Sequence, residues 1–520
     1  MSPVAIVFVL LLAATILAGL ARRLGIPDPI VLVIGGLVLG LLPGLPEVKL
    51  QPELVFLLFL PPILFGAGYF TSIRDFKANL RPILLLSFGL VLFTMTAVAI
   101  AVHWVLPELG WPLAFATGAI VAPPDAVAAT SVLNRLGVPR RMVTILEGES
   151  LVNDATALVA LRTALAAAMG GTFSLVDAST SFVVVAVGGI LVGLVIGTIA
   201  WRVIARVDDT ILAIVLTLLI PLGIYAPAEA AGVSGVLAVV TAGLIAGRGA
   251  SHALTSAQRV LGEAAWGTVL FLINGAVFVL IGLQLPLVLR DIGVDRSPLE
   301  LLGIGAFVSL VTVLARIVWV FPATYLPRYL SARVRARDPY PEATNVAVVS
   351  WAGMRGVVSL AAALGLPEDL PGRSFVIFCA FCVILTTLVL QGLTLPWVIR
   401  RLHISSDGEE AGEEREARLT AVQAAVERIG SLEDEWPDHR ELVDQLRAQY
   451  EHRVVHIDPD GHGPRDEAEK ELLEHRLIRH AVIEAEREAV IRLRDDGRIS
   501  DDVMRRVERD LDLEELRLEA

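Results

Sequence analysis

A chain of 520 residues that is 55% hydrophobic, with a mean hydropathy of +0.68, is too apolar to be a string of ordinary soluble domains. Its net charge of −12 hides two unlike parts: residues 1–401 hold 25 Lys+Arg and 21 Asp+Glu, a balance of +4, and residues 402–520 hold 18 and 34, a balance of −16. An acidic tail excludes a nucleic-acid surface, which needs a basic excess, and suits water, cations or a basic partner.

Apolar runs long enough to cross about 30 Å of hydrocarbon are expected at 3–21, 29–45, 53–70, 80–106, 111–133, 141–169, 177–204, 208–227, 231–247, 264–286, 298–326, 344–366 and 373–399, making 13 spans. The first run has no basic leader and no small-residue cleavage site, so it reads as a mature helix rather than a signal peptide. Glycines spaced four apart, at Gly36, Gly40 and Gly44 and again at Gly189, Gly193 and Gly197, put small residues on one face and predict close helix packing. The lone Cys379-x-x-Cys382 pair lies in an apolar run and offers neither a four-ligand zinc site nor a disulfide framework.

Loop charges give an independent test of this division. Eighteen basic residues fall in alternate loops, from Arg22 and Arg23 through Arg74, Lys77 and Arg81 to Arg400 and Arg401. The intervening loops hold only Lys49, Arg290, Arg296 and Arg373. Cytoplasmic loops are enriched in Lys and Arg, which places the amino terminus outside and the tail in the cytoplasm. Six spans on either side of a seventh run in opposite senses, the arrangement of inverted repeats. Span 5 is interrupted by Pro123-Pro124-Asp125, and span 12, its counterpart, by Gly353-Met354-Arg355-Gly356.

After residue 403 the hydropathy collapses. Residues 404–520 are expected to form an acidic, α-helical cytoplasmic domain of two amphipathic pairs, broken near Trp436-Pro437 and again over 458–464. A solvated helical tail is the simpler reading, and a domain that senses an unidentified ligand is the alternative.

Ionisable groups at membrane depth cost about 3 kcal/mol or more each and are functional candidates by default. Here they are Asp125, Glu149, Asp154, Arg162, Arg316 and Arg355, with Glu147 nearer the inner end of span 6. Span 6 groups its polar side chains by spacing: Ser150 with Asn153 and Asp154, and Glu149 with Asn153, lie three or four residues apart on adjoining faces. A hydroxyl, an amide oxygen and a carboxylate are hard ligands suited to a hard cation such as sodium, the bland alternative being a hydrogen-bond network that packs helices. The paired prolines of span 5 remove two backbone donors and free nearby carbonyls. Such carbonyls are tolerated at membrane depth where they line a cavity, and Asp125 is placed to face the positive end of a half-helix. Arg355 needs a buried counter-charge, for which Glu149 is the natural candidate. Arg162 and Arg316 read as snorkelling or interhelical contacts, and His103 as a membrane-surface histidine.

At these residues the chain resembles the sodium/proton exchangers of the cation:proton antiporter superfamily, in the branch of NhaP-like bacterial proteins and animal exchangers. Phe59 to Tyr69 is similar to their third-helix signature, Gly148 to Asp154 to their Gly-Glu-Ser-Leu-x-Asn-Asp signature, and Gly353 to Ser359 to their arginine motif. The resemblance implies a homodimer of thirteen-helix subunits in which spans 4–6 and 11–13 move against spans 1–3 and 8–10, with spans 5 and 12 crossed and unwound. It implies Asp154 as the shared carboxylate for cation and proton, Ser150 and the Pro124 carbonyl as further ligands, Asn153 as the mark of electroneutral exchange, and Glu149 with Arg355 as a structural ion pair. Gly66 stands where many relatives carry an acid, and Pro124-Asp125-Ala126 where many read Thr-Asp-Pro; both departures bear on ion preference.

The sequence thus predicts an all-α polytopic membrane protein, with residues 1–403 as the transmembrane domain, embedded in lipid of the cell membrane. It predicts a non-enzymatic antiporter without cofactors that exchanges Na+, with Li+ as a further substrate, for H+ at one to one. The alternatives are a K+/H+ antiporter and, in another class, an ion channel or receptor with a ligand-sensing tail.

Overall fold

The computed structural model describes residues 3–42, 53, 55–170, 175–291, 297–404, 408–457, 465–496, 498 and 500–519. Gly44, Lys49, Arg296 and the expected tail break at 458–464 lie outside them. The chain separates into two compact units, Met1–Ser406 and Asp407–Ala520. Both are helical, and there is no strand among the described residues.

The first unit begins with α1 (Pro3–Leu24), α2 (Asp28–Leu41) and α3 (Leu60–Phe70), the last entered through a wide π turn at Val55–Phe59. Next come α4 (Leu80–Val105), the broken pair α5 (Gly110–Val121) and α6 (Ala126–Leu136), and the long α7 (Arg140–Ala168). Four helices follow: α8 (Leu175–Ile204), α9 (Thr210–Ala230), α10 (Gly235–Ala253) and α11 (Ser256–Asp291). The unit closes with α12 (Pro298–Leu330), a second broken pair α13 (Ala343–Trp351) and α14 (Val357–Leu364), and α15 (Arg373–Arg401). Nine helices among the described residues are long and apolar enough to cross a membrane, with three shorter apolar ones at Asp28–Leu41, Val55–Phe70 and Gly235–Ala250. The reading of thirteen spans counts those three, and the two short pieces α13 and α14 taken together as one, as further crossings.

Small residues set the packing. A Cβ on Gly36 would lie 2.2 Å from the Val279 carbonyl oxygen, and one on Gly193 2.2 Å from that of Ala238. Glycine therefore brings α2 onto α11 and α8 onto α10 at backbone contact. At one end of the unit, Asp338, in the loop before α13, takes ionic hydrogen bonds from Arg81, from Arg141 at 2.6 Å and from Arg328 at 2.7 Å. Partial burial opposes its charged form, but the hydrogen bonds from Arg141 and Arg328 outweigh this and hold the carboxyl below the usual carboxylate range. One half-buried loop carboxylate thereby ties together the ends of α4, α7 and α12.

The two broken pairs cross. Pro123 and Pro124 cannot donate to the turn before them, so α5 ends at Val121 and the backbone runs extended to Asp125. The second pair opens at Ala352 and resumes at Val357. The openings are joined by a hydrogen bond from the Asp125 N–H to the Met354 carbonyl oxygen at 2.7 Å. Thr387, at the start of a π turn in α15 (Thr387–Gln391), accepts the Arg355 N–H on its hydroxyl at 3.0 Å while donating to the Val383 carbonyl oxygen at 2.8 Å. Gly356 admits the crossing: a Cβ there would lie 1.8 Å from the Asp125 carboxylate.

In the second unit, α16 (Glu409–Glu435) and α17 (Arg440–Ile457) form one helical hairpin, and α18 (Arg465–Asp495) and α19 (Asp501–Glu519) a second. Val422, Ile429 and Val443 are buried in the first hairpin. In the second, Arg487 pairs with Asp512 at 2.7 Å and with Glu515 at 2.6 Å. The first hairpin turns at Trp436-Pro437, where the proline cannot continue the helix.

Gly356→Ala should destabilise the protein by roughly 3 kcal/mol, as overpacking at an unyielding contact does. Gly303→Ala, in α12 with nothing within 4 Å of the added carbon, should be neutral. Thermal melting of the two variants in detergent checks this; equal melting points would mean that the crossing relaxes freely.

Candidate functional site

α7 carries the chemistry because its middle interrupts an apolar helix with Glu149, Ser150, Asn153 and Asp154 over little more than one turn. Glu149 and Asn153 are fully buried and Asp154 is 5% exposed. These groups meet the first crossing segment. Asn153 donates its amide N–H to the Pro124 carbonyl oxygen at 3.0 Å, and Ser150 Oγ accepts the Ala126 N–H at 3.4 Å. Asp125 caps α6, its Oδ1 accepting the Val127 N–H at 2.9 Å. The start of α6 therefore presents two of its otherwise unpaired N–H groups to oxygens of the site.

A cavity of about 300 Å3 opens between these elements, lined by Pro124, Asp125, Ser150 and Asp154 together with residues of α3, α11 and the start of α14. The structure thus brings together Asp125, Ser150 and Asp154 around free space, with Pro124 in its wall. Asn153 stands behind that wall and acts on it through the Pro124 carbonyl. Its own amide oxygen is buried without a partner among the described residues. A carboxylate, a hydroxyl and a backbone carbonyl at one cavity form a hard-oxygen set that can replace part of a small cation's hydration shell. No group of three or more His, Cys, Asp or Glu with the arrangement of a bound metal centre occurs among the described residues.

The expected pairing of Glu149 with Arg355 is corrected. Glu149 is bound by Arg316 of α12, whose Nη1 and Nη2 donate to its two carboxylate oxygens at 2.6 and 2.8 Å, with both side chains 0% exposed. Arg316 also donates to the Val349 carbonyl oxygen of α13 at 3.2 Å. Arg355 instead donates from Nε to the Val121 carbonyl oxygen at 3.0 Å and from Nη1 to that of Gly353. The guanidinium is held by the last carbonyl of α5, whose partial negative charge favours it, and by the Gly353 carbonyl of the unwound segment, with Nη2 left without a partner among the described residues. Gly353 makes room for both arginines, since a Cβ there would lie 2.3 Å from Arg316 Cδ and 3.0 Å from Arg355 Nη1. Arg316 is 167 residues from Glu149, and no local spacing could have picked it over Arg355.

Other polar groups at the site were not singled out by sequence. Thr130, Asn274 and Ser359 line the cavity; Asn274 had a signal, as the one amide in the apolar run Val269–Phe278. Glu147, which the sequence did single out near the inner end of span 6, also lines it, seven residues or about 10 Å from Asp154 along α7. Of the remaining charged and polar candidates, Arg162 makes the interhelical contact expected of it, a 2.6 Å ion pair with Glu229 of α9. His103 stacks on Trp111 at 4.2 Å between centroids.

Residues 8–401 match the family described as sodium/hydrogen exchanger, transmembrane. The chain belongs to that family. Along nearly its whole length, 99% of this chain and 96% of the other, it is 35% identical to an uncharacterised Na(+)/H(+) exchanger of Mycobacterium tuberculosis. It is also 35% identical to the sodium, potassium, lithium and rubidium/H(+) antiporter of Bacillus subtilis, over 71% of this chain and 57% of that one. The fold is that of the sodium proton antiporter MjNhaP1 from Methanocaldococcus jannaschii, with a TM-score of 0.61 at 22% identity over 77% of this chain and 98% of the other. Members of the family are multi-pass membrane transporters and not enzymes, and their substrates are monovalent cations and protons.

In this exchanger, removing one member of the Glu149–Arg316 pair should cost about 3–5 kcal/mol, because the other charge is left buried alone. A double-mutant cycle read by thermal unfolding should show strong coupling between Glu149→Gln and Arg316→Gln. Coupling between Glu149→Gln and Arg355→Gln should stay within about 0.5 kcal/mol. The reverse ranking would restore the pairing expected from sequence.

Proposed function

We propose that this exchanger carries Na+ in one direction and H+ in the other at the single carboxylate of Asp154, one for one. The observation that supports this reading is the charge set around the crossing. Immediately around the crossing, Asp125, Glu149 and Asp154 supply three negative charges and Arg316 and Arg355 two positive ones, which leaves one negative charge over; Glu147 lines the same cavity but stands about 10 Å along α7 from Asp154, outside this set. Glu149 is matched by Arg316, Arg355 is held by helix ends, and the charge of Asp125 faces the start of α6. The remaining negative charge belongs to Asp154, which is neutralised equally by one proton or one sodium ion. Ser150 and the Pro124 carbonyl complete the cation's coordination, and Asn153 fixes that carbonyl while adding no titrating group.

On the same reading, spans 4–6 and 11–13 move as a body against spans 1–3 and 8–10 and expose the cavity alternately to either side of the cell membrane. The thirteen-span topology has its amino terminus outside. Two copies associate as a dimer, and residues 404–520 form an acidic helical cytoplasmic domain outside the transport path, which modulates exchange rather than carrying it. The name of the Bacillus relative includes potassium, lithium and rubidium, which favours a second reading in which K+ shares the site.

The test is proton movement in everted vesicles on addition of Na+, Li+ or K+, followed by proteoliposomes under an imposed diffusion potential. The wild type should exchange Na+ for H+ at a rate that voltage does not alter. Asp154→Asn should abolish exchange by at least a hundredfold while leaving the protein folded, since an amide keeps the shape but neither titrates nor balances a cation. Normal exchange by that variant removes Asp154 from the mechanism, and a systematic voltage effect would show a second carboxylate, Asp125 foremost, carrying a proton.

A further inference from the structure

We infer that Asn274 is a specificity-determining ligand, meeting the partly hydrated cation in the cavity that Asp154 also lines and setting affinity and cation preference without entering the charge balance. The inference rests on the reading of Asp154 as the cation site and concerns the lining that α3 and α11 supply to the same cavity.

The wall contributed by α3 consists of Leu60, Ile63, Leu64, Gly66, Ala67 and Phe70, none of which has a hydrogen-bonding side chain. α11 adds Leu270 and, one turn on, Asn274. On this wall, therefore, Asn274 is the only side chain among the described lining residues that can offer oxygen to a cation. A Cβ on Gly66 would lie 2.8 Å from Leu270 Cδ1, so Leu270 occupies the space that a side chain at position 66 would need. The oxygen function on that wall falls to the next turn of α11.

Asn274 sits within the apolar run Val269–Phe278, is half-buried and lines the cavity. It has no hydrogen-bond partner among the described residues, unlike Asn153, whose amide is bound to Pro124. Its amide is therefore open to whatever the cavity holds, water or a partly hydrated cation. A cation entering from the cavity must give up waters before Asp154, Ser150 and the Pro124 carbonyl can enclose it. An amide oxygen replaces one of those waters at no cost in charge. Because it is neutral, it leaves one-for-one exchange intact, and because it comes from a different helix than Asp154 and Ser150, how well it reaches the ion depends on ion size.

The experiment is the dependence of exchange rate on Na+, Li+ and K+ concentration in proteoliposomes of wild type, Asn274→Ala, Asn274→Ser and Asn274→Gln, with thermal melting recorded for each. Loss of one oxygen ligand should raise KM for Na+ about tenfold in Asn274→Ala, with a smaller effect on kcat and a changed ratio of KM between Li+, Na+ and K+. Serine, which restores an oxygen, should recover part of the affinity, and glutamine, which shifts the amide by one methylene, should alter the ion ratio again. If alanine does not fold, serine and glutamine carry the same reading through that ratio. Unchanged KM for every cation, or a fall in kcat with KM and ion ratios unmoved, would overturn the inference. That failure is separate from a failure of the Asp154 reading, which would appear as full activity in Asp154→Asn.

Discussion

The arrangement of the transport unit depends on one backbone hydrogen bond at membrane depth, from Asp125 N–H to the Met354 carbonyl oxygen. Two helices are interrupted at the same place, and each interruption would strand several N–H and carbonyl groups where there is no water to bind them. The crossing resolves this by pairing one strand of unwound backbone with the other. What the backbone leaves unpaired, side chains take up: Asp125 and Ser150 accept the first N–H groups of α6, and Arg355 donates to the last carbonyl of α5. A cavity bordered by oxygens is the geometric residue of that exchange.

The buried ion pair has a different task. Glu149 and Arg316 are completely enclosed and joined by two hydrogen bonds, a geometry that fixes α7 relative to α12 and, through Val349, to α13. Burying such a pair stabilises less than an apolar contact of the same volume would, so its contribution is registry: it sets where along α7 the residues Ser150, Asn153 and Asp154 meet the crossing. The π turns work alongside it. In α4 the turn at Leu85–Leu90 leaves the Leu85 carbonyl to accept from Trp319 at 3.0 Å and places Ser87 to donate to the Glu149 carbonyl at 3.1 Å.

Much of this was legible in the residues. The prolines at 123 and 124 and the glycines at 353 and 356 locate both interruptions, because each removes a donor or a side chain that a continuous helix would keep. Polar spacing in span 6 locates the carboxylate, hydroxyl and amide together. The partner of Glu149 was not legible: two buried arginines compete for it, and the choice depends on which one the folded chain carries to the carboxylate, Arg316 of α12. Nor was the role of Asn274 visible from spacing, since its neighbours on the cavity wall come from α3, some two hundred residues away. The shortness of α13 and α14 also blurs any count of spans by length, though it is a direct consequence of the break that makes the site.

The central claim is that one negative charge at the crossing is left for transport, to be neutralised by one cation or one proton. Calorimetric titration of the purified exchanger with Na+, in buffers of different ionisation enthalpy, counts the protons released per cation bound. The account predicts a release that approaches one proton per Na+ under acidic conditions and vanishes with Asp154→Asn. Release of two protons per cation, or sodium binding with no proton released at any pH, would contradict it.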